Sequence, residues 1–343
     1  MRFLCFGTGA IGTYIGGSLA LAGHHLVFVE RPDVAETIRQ TGLTLALKEG
    51  VRTMPKPQVA LSLSEALKKG PFDAAILAVK SFDTESVLES LFSDLEAVPP
   101  ILSFQNGVEN EPQLAAALGS ERVIPGTVTT AVGRKGPGSI VVERLRGIGI
   151  AATHPLSPAL LAAANQAGLR ARAYTNPAAM KWSKLLTNLL TNASSAILNM
   201  TPAEVFANPE LYCIEARQLR EALRVMSVQN IPVVDLPATP VRLLAWIISN
   251  LPDAASRPLL ARAVGGGRGA KMPSFHIDLY AGRPKSEVDY LNGAVARYGK
   301  KFHIATPVNR VLNEILQGMT SGAILKEEYA HKPEKLLGQI PGE

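Results

Sequence analysis

Three polar side chains recur at intervals of four in an otherwise apolar stretch, KLLTNLLTN at 184–192. They are Lys184, Asn188 and Asn192. On a single helix, residues four apart differ by only about 40° around the axis, so an ammonium and two amides would form one narrow stripe. Leaving such groups unpaired in a core costs about 1–3 kcal/mol each. The stripe therefore predicts contact with a hydroxyl- and keto-bearing small molecule, or else a structural network or a solvent-facing surface.

A second polar cluster occurs in KSEVDYLNG at 285–293, where Glu287 lies within a helical pattern. We expect Glu287 either to pair with Lys184 or to be a solvated surface acid. Burial favours a neutral lysine, whereas a neighbouring carboxylate favours the charged form. A lysine tuned in this way beside a nicotinamide ring has the chemistry of the proton donor in a ketone reduction.

A glycine-rich turn, GTGAIG at 7–12, directly follows the apolar run RFLCF. The G-x-G-x-x-G spacing between a predicted strand and a predicted helix is typical of dinucleotide binding. The first glycine allows a tight turn, the second admits a pyrophosphate, and the third lets the helix pack on the strand. The N–H groups at the start of the helix then bind phosphate. We predict cofactor contacts from the whole turn: Gly7, Thr8, Gly9, Ala10, Ile11 and Gly12.

Two charged residues at the end of the second predicted strand give conflicting signals about the cofactor. Glu30 stands where an acid holds a ribose diol, which favours NAD(H). Arg31 stands where a guanidinium binds a 2′-phosphate, which favours NADP(H). The residues alone leave both cofactors open.

The scaffold of these residues begins with an alternation of apolar runs and helical segments. Continuous apolar runs are typical of strands buried on both faces of a parallel sheet. With helical patterns between them, they predict a doubly wound α/β Rossmann domain. Some of the later strands are expected to be antiparallel. The predicted strands lie at 2–6, 26–30, 74–80, 101–107, 122–132, 139–145 and 147–153, and the helices at 33–40 and 84–97.

From about residue 174 helical periodicity replaces the strand pattern. We predict a Rossmann domain at 1–173, an all-α C-terminal domain at 174–330, and a loose C-terminal tail at 331–343. The stretch VGGGRGAK at 264–271 predicts a flexible break between helices. The predicted helices cover 178–198, 203–208, 210–229, 238–250, 285–299 and 306–318.

Composition argues against several classes of protein. The chain has 343 residues, 47% of them hydrophobic, and its net charge of +6 comes without a run of like charges, which argues against nucleic-acid binding. Cys5 and Cys213 lack metal-ligand spacing, so we predict free thiols, a reducing compartment and no metal. The N-terminal stretch resembles a secretory signal peptide in its apolar character, but its five glycines argue against that interpretation. No run approaches the ~20 apolar residues of a membrane helix, so we expect a cytoplasmic protein.

Taken together, the motifs resemble those of the ketopantoate reductase (2-dehydropantoate 2-reductase) family. The resemblance implies a Rossmann domain and an all-α domain with the 6-phosphogluconate dehydrogenase-like C-terminal fold. It implies NADPH-dependent reduction of 2-dehydropantoate to (R)-pantoate, a step of pantothenate and coenzyme A biosynthesis. The matching pieces occur in family order over nearly the whole chain: GTGAIG, AVKSFDT (78–84), SFQNGVEN (103–110), WSKLLTN (182–188) with Asn192, and SEVDYLNG (286–293) after AGRP.

The resemblance also implies roles for individual residues. Lys184 is similar to the catalytic lysine that donates a proton to the C2 carbonyl oxygen. Glu287, the second predicted catalytic residue, is similar to a glutamate that lines the cofactor and substrate side of the site. Arg31 resembles the arginine that selects NADP, whereas Glu30 beside it departs from that preference. Lys80 and Asn106, each at a strand end, resemble cofactor contacts. The implied substrate contacts are Asn106, Lys184, Asn188, Asn192 and Ser274, of which Ser274 is offset by one residue from the family spacing.

Two other functions stay open at this level. One is reduction of a different branched 2-oxo acid on the same scaffold. The other is a non-catalytic NADP(H)-binding sensor, against which the presence of Lys184, Asn188 and Glu287 argues. The expected partner is a small-molecule 2-oxo acid, without nucleic acid or membrane, and the sequence is compatible with a monomer or a homodimer.

Overall fold

The computed structural model describes residues 1–268 and 271–342. The chain divides into two compact units. The first comprises Met1–Lys181 with Leu236–Thr239, and the second comprises Trp182–Asp235 with Pro240–Glu343. The division falls within one helix, Pro177–Leu189. That helix begins where the Asn176 side chain accepts the N–H of Ala179 (2.9 Å), and proline at the first helical position has no N–H to lose.

The first unit is built on two sheets. The strands are β1 (Arg2–Phe6), β2 (His25–Val29), β3 (Leu43–Leu47), β4 (Gly50–Met54), β5 (Gln58–Ala60), β6 (Ala74–Leu77), β7 (Ile101–Ser103), β8 (Val123–Val128), β9 (Ala131–Gly136), β10 (Ser139–Arg144), β11 (Ile148–Ala151) and β12 (Ala171–Tyr174). The larger sheet has the strand order β12-β11-β8-β7-β6-β1-β2-β5, and the smaller has the order β4-β3-β10-β9. In the larger sheet only the β8–β11 pair is antiparallel.

The helices of the first unit cover the parallel sheet, as the alternating pattern predicts. Both faces of the sheet carry apolar cores, which explains why β1 and β6 are continuous apolar runs. The helices are α1 (Ala10–Leu21), α2 (Pro32–Thr41), α3 (Leu63–Leu67), α4 (Thr84–Leu91), α5 (Asn110–Leu118), α6 (Ser157–Gln166) and the start of α7 (Pro177–Leu189).

The order of the central strands creates a switch point beside β1. Its neighbour on one side, β2, is reached through α1, and its neighbour on the other side is β6. Ligands of open α/β sheets bind outside the carboxyl ends of the strands at such a point. The glycine-rich turn follows β1, so it lies at this position.

Within the described residues, all regular secondary structure of the second unit is helical, which confirms the predicted fold class of an α/β domain followed by an all-α domain. A short π-helical segment at Asp289–Gly293 leads into α14. After α7 the helices are α8 (Asn192–Leu198), α9 (Pro202–Ala207), α10 (Pro209–Val228), α11 (Val241–Asn250), α12 (Asp253–Arg268), α13 (Ser274–Tyr280), α14 (Ala294–Lys301), α15 (Pro307–Ser321) and α16 (Pro333–Leu337).

Several local predictions are wrong. The strand expected over 122–132 is two strands, β8 and β9, which belong to different sheets. Between them lie Thr129 and Thr130, whose N–H groups both donate to the Gly147 carbonyl instead of continuing the strand.

The helix expected over 178–198 is two helices, for a reason given below. The break expected at 264–271 does not hold for its first residues, because α12 runs to Arg268. Glycine costs a helix about 1 kcal/mol per residue. The residues that precede the glycines, LLARA at 259–263, are strong helix formers, so the helix continues into the glycine-rich stretch. Residues 269 and 270 lie outside the described residues.

The C-terminal segment is not loose over its described part. Leu336 on α16 is fully buried, and the N–H of His331 donates to the carbonyl of Leu198 (2.7 Å). Burial of a leucine contributes about 1.5–3 kcal/mol, so Leu336 and the His331 hydrogen bond both help to hold this segment against the rest of the unit.

Candidate active site

The glycine-rich turn has the geometry of a phosphate-binding loop. Gly7 adopts a φ of +87°, a region that favours glycine, and the extended Gly9 is the N-cap of α1. No side chain caps this end of α1. The first N–H groups of the helix and its positive dipole end are therefore available to an anion.

Gly9 and Gly12 serve different purposes. A Cβ on Gly12 would lie 1.9 Å from the Gly7 carbonyl oxygen, so glycine is required there by the packing of α1 on the turn. A Cβ on Gly9 would meet no described atom within 4 Å. The protein itself does not need glycine at position 9. Glycine at this position leaves the backbone open to the close approach of a ligand, which is the property that a pyrophosphate site needs.

The Glu30 carboxylate is bonded to the same turn. Its Oε1 accepts the N–H of Thr8 and the Thr8 hydroxyl (2.7 Å for the latter), and its Oε2 accepts the N–H of Arg31 (3.1 Å). Thr8 is buried. Within residues 1–268 and 271–342, the exposed Arg31 guanidinium makes no ion pair. Glu30 thus stabilises the glycine-rich turn through its hydrogen bonds with Thr8. The exposed Arg31 guanidinium is accessible to a phosphate group.

Cys5, at the floor of this turn, is a buried free thiol. Its Sγ lies 3.8 Å from the Gly7 carbonyl oxygen and 3.9 Å from the Gly12 carbonyl oxygen. Both oxygens are within reach of the S–H as hydrogen-bond acceptors. Burial, followed by the negative charge of Glu30, raises the pKa of this thiol well above its usual range. It stays protonated at neutral pH and is part of the packing.

Lys80 and Asn106 both follow strands of the central sheet. Lys80 comes after β6 and Asn106 after β7, which places both at carboxyl ends of parallel strands, as predicted. The two turns are cross-linked. The Asn106 carbonyl accepts from the Ser81 hydroxyl (3.0 Å) and from Asn110 Nδ2 (2.5 Å). Thr84 donates to Asn110 Oδ1 (3.0 Å).

A buried ion pair beside the Asn106 turn was not found from the sequence. Lys181 Nζ on α7 lies 2.7 Å from Glu111 Oε1 on α5, and both side chains are more than nine-tenths buried. The same ammonium donates to the Gln105 carbonyl (2.5 Å). The available signal was a lysine within the apolar run AAMKW, but nothing local identifies a partner 70 residues away.

The polar stripe at 184–192 is not on one helix. Lys184 and Asn188 lie on α7, both partly buried, whereas Asn192 begins α8 after Thr191, whose φ is +57°. The cause is the buried carboxylate of Glu215. It accepts the N–H of Thr191 (2.6 Å) and the hydroxyl of Ser194 (2.5 Å), replacing the helical bonds lost at the break.

The structure brings Asn192 and Ser274 together. Asn192 Nδ2 lies 3.4 Å from Ser274 Oγ, and its Oδ1 accepts the N–H of Phe275 (3.1 Å). Glu287 is 3% exposed, so it is not a surface acid. The pairing of Glu287 with Lys184 stays a prediction.

Polar residues buried around α10 were also missed. Glu221 accepts the N–H groups of Val308 and Asn309 (2.8 and 2.9 Å) at the start of α15. Burial raises the pKa of the Glu221 carboxyl, and those N–H groups oppose the shift. Asn292 bonds both Asn309 and Gln218. The charged residues of EARQLRE in α10 are typical of a solvent-exposed helix face. The two glutamates among them are buried because their hydrogen-bonding partners, such as Thr191 and Val308, come from distant parts of the chain.

Comparison with protein-family models gives the family. The model described as "Ketopantoate reductase PanE/ApbA" matches residues 3–154, and "Ketopantoate reductase PanE/ApbA C terminal" matches residues 176–320. The chain belongs to the ketopantoate reductase family. It is accordingly an oxidoreductase of a family that uses nicotinamide cofactors.

Relatives match over almost their full length. The 2-dehydropantoate 2-reductase of Archaeoglobus fulgidus is 28% identical over 325 residues, which cover 94% of this chain and 98% of the relative. The enzyme of the same name from Pyrococcus horikoshii is 26% identical, with the same coverage.

Solved structures share the fold. A PanE/ApbA family ketopantoate reductase from Ralstonia eutropha has a TM-score of 0.78 at 26% identity, covering 94% of this chain and 99% of that one. D-mandelate dehydrogenase with NADH and anilino(oxo)acetate has a TM-score of 0.77 at 20% identity, with the same coverage. The second likeness shows a common fold.

Within the described residues, no group of three or more His, Cys, Asp or Glu side chains is arranged to hold a metal ion. In the same residues, no helix is long and apolar enough to span a bilayer.

Proposed function

We propose that this member of the ketopantoate reductase family reduces 2-dehydropantoate to (R)-pantoate with NADPH. The observation that carries the proposal is the match of both parts of the chain to the family, at nearly full length of the curated 2-dehydropantoate 2-reductases. The contact between Asn192 and Ser274, 82 positions apart, supports it, because both are proposed substrate-binding groups.

The proposed chemistry is a proton-coupled reduction of the ketone. When bound, NADPH supplies the hydride that adds to C2. Negative charge then develops on the carbonyl oxygen, and the Lys184 ammonium gives that oxygen its proton, which completes the alcohol. The Asn106 amide is proposed to donate a hydrogen bond to the same oxygen.

The other residues bind and orient the substrate. Asn188 and Asn192 are proposed to bond its hydroxyl group, and Ser274 its carboxylate. Glu287, a buried carboxylate, is proposed to keep Lys184 in its charged form before the reaction, since a neighbouring negative charge favours the ammonium.

The residues of the first unit are proposed to select NADPH. Arg31 would bind the 2′-phosphate, and Lys80 would provide a second positive charge to the cofactor. Glu30 already accepts two hydrogen bonds from Thr8, so it is engaged with the turn rather than reserved for a ribose diol. This arrangement supports NADPH over NADH.

The test is the identity of the product together with the range of substrates. Purified protein is incubated with NADPH and 2-dehydropantoate, and pantoate is resolved on a chiral column. We expect the R enantiomer alone. A second set of reactions with phenyl- and alkyl-substituted 2-oxo acids tests for a different acid on the same scaffold. Faster turnover of one of those would replace the proposed substrate.

A further inference from the structure

The turn that carries Asn106 is held from two sides. The carbonyl of Asn106 itself accepts from Ser81 and Asn110. The carbonyl of the preceding residue, Gln105, accepts from Lys181 Nζ (2.5 Å). The two peptide groups flanking the Asn106 Cα therefore have fixed orientations. Fixing both peptide groups fixes the direction of the Cα–Cβ bond of Asn106, and with it the point from which the side-chain amide extends.

Lys181 is in turn fixed by buried partners. Its ammonium is bonded to Glu111, and Glu111 Oε1 also accepts the hydroxyl of Ser103 (2.8 Å), the last residue of β7. A third contact of the ammonium is the Gly126 carbonyl on β8 (3.4 Å). Ser103 is fully buried. The Lys181 ammonium is thus held directly by residues of α5 and β8, and through Glu111 by the last residue of β7.

A buried ion pair is poor evidence for stability, because desolvation offsets the attraction between its charges. Apolar or neutral replacement of both partners often leaves a fold equally stable. A role other than stability is therefore expected for the Lys181–Glu111 pair. The hydrogen bond from Lys181 to the Gln105 carbonyl indicates that this role is to hold the turn before Asn106.

We propose that Lys181 is a positioning residue for the reaction. Held by Glu111, it fixes the turn at 105–107 and so directs the Asn106 amide toward the reacting carbonyl. The effect of the pair on catalysis rests on the proposed function, whereas its effect on the turn does not. As a positioning residue, Lys181 is proposed to touch neither substrate nor cofactor.

The test uses the double variant Lys181→Met/Glu111→Gln. The single change Lys181→Met would leave a buried charge unpaired and risks misfolding, whereas the double variant removes both charges and keeps an acceptor for Ser103. Hydrogen exchange followed by mass spectrometry is compared for the peptide spanning 103–110. We expect faster exchange in this peptide and little change elsewhere. Unchanged exchange would overturn the proposal, whether or not the protein reduces a ketone.

Kinetics supply the second readout. We expect kcat with NADPH and the preferred 2-oxo acid to fall ten- to a hundredfold, the effect of a small misplacement in an active site, while KM for NADPH changes less than threefold. The deuterium isotope effect with NADPH labelled at the transferred position should rise, because hydride transfer becomes slower. A loss of folded protein alone would leave that isotope effect unchanged and contradict the positioning role, as would wild-type kcat.

A matched control is Arg122→Met. Arg122 is another cation that binds backbone carbonyls in the same unit, those of Leu95 (2.6 Å) and Val98, but it does so before the start of β7. We expect its isotope effect and the exchange of the 103–110 peptide to equal those of the wild type. Absence of any 2-oxo acid turnover in the wild type would refute the proposed function, and the exchange result would still decide whether Lys181 holds the turn.

Discussion

Lys184 is the residue on which the proposed chemistry depends most. It lies on α7 and is partly buried, one helical turn after Lys181. We expect Lys184→Ala to lower kcat at least about a hundredfold, because general acid catalysis of this kind contributes 10²–10⁴. The dissociation constant for NADPH, measured by fluorescence titration, should change less than threefold.

The control for this loss is an exposed lysine of the same unit. Lys300→Ala, at the end of α14, removes the same charge from the surface and should leave kcat unchanged. If Lys184→Ala retains most of the activity, the role of proton donor is wrong. If both variants lose activity equally, the effect is one of overall charge.

The choice between NADPH and NADH is also decided at the level of single residues. We expect Arg31→Ala to raise KM for NADPH at least tenfold, since the guanidinium is proposed to bind the 2′-phosphate. KM for NADH should change little. The reciprocal variant Glu30→Gln keeps an acceptor for Thr8 and serves as a control of the turn. An unchanged KM for NADPH in Arg31→Ala would indicate that Glu30 and NADH define the cofactor.

At the scale of elements, two glycines at the start of α1 are expected to have different roles. Gly12 is needed for the packing of the helix, whereas Gly9 is expected to be needed for ligand binding. Gly12→Ala places a Cβ 1.9 Å from the Gly7 carbonyl, so it should destabilise the protein and lower its Tm. Gly9→Ala meets no described atom within 4 Å, and the backbone there is not left-handed. We therefore expect Gly9→Ala to keep the wild-type Tm but to weaken NADPH binding at least tenfold.

Measurement of Tm by calorimetry and of NADPH affinity by titration distinguishes these two effects. The expected pattern is a stability loss for Gly12→Ala and an affinity loss at constant stability for Gly9→Ala. Wild-type affinity in Gly9→Ala would mean that no ligand approaches the backbone at this point, and the assignment of the turn to a pyrophosphate would be wrong.

Elements that follow from local pattern were predictable, and those set by distant partners were not. β1, β2, β6 and β7 are buried on both faces and so appear as continuous apolar runs. The hairpin of β3 and β4 was missed, because β4 is exposed and lacks an apolar signal. The break at Thr191 depends on Glu215, 24 residues further on, whose burial no local pattern indicates.

The same distinction applies to the candidate site. The glycine-rich turn is a contiguous motif, so its sequence specifies its geometry. The contact of Asn192 with Ser274 joins residues 82 positions apart, and only the resemblance to a known family led to the prediction that both bind one substrate. Lys181 and Glu111 carried no such indication and became visible only in the folded chain.

The molecule as a whole combines an α/β unit and a helical unit in one chain of the ketopantoate reductase family. The most direct test of the proposed reaction is the steady-state rate of NADPH oxidation by the purified protein with 2-dehydropantoate. We predict that kcat/KM for 2-dehydropantoate exceeds that for any other 2-oxo acid tested by at least about tenfold, a difference of about 1.4 kcal/mol in transition-state binding. A higher kcat/KM for another acid, or no NADPH oxidation at all, would contradict it.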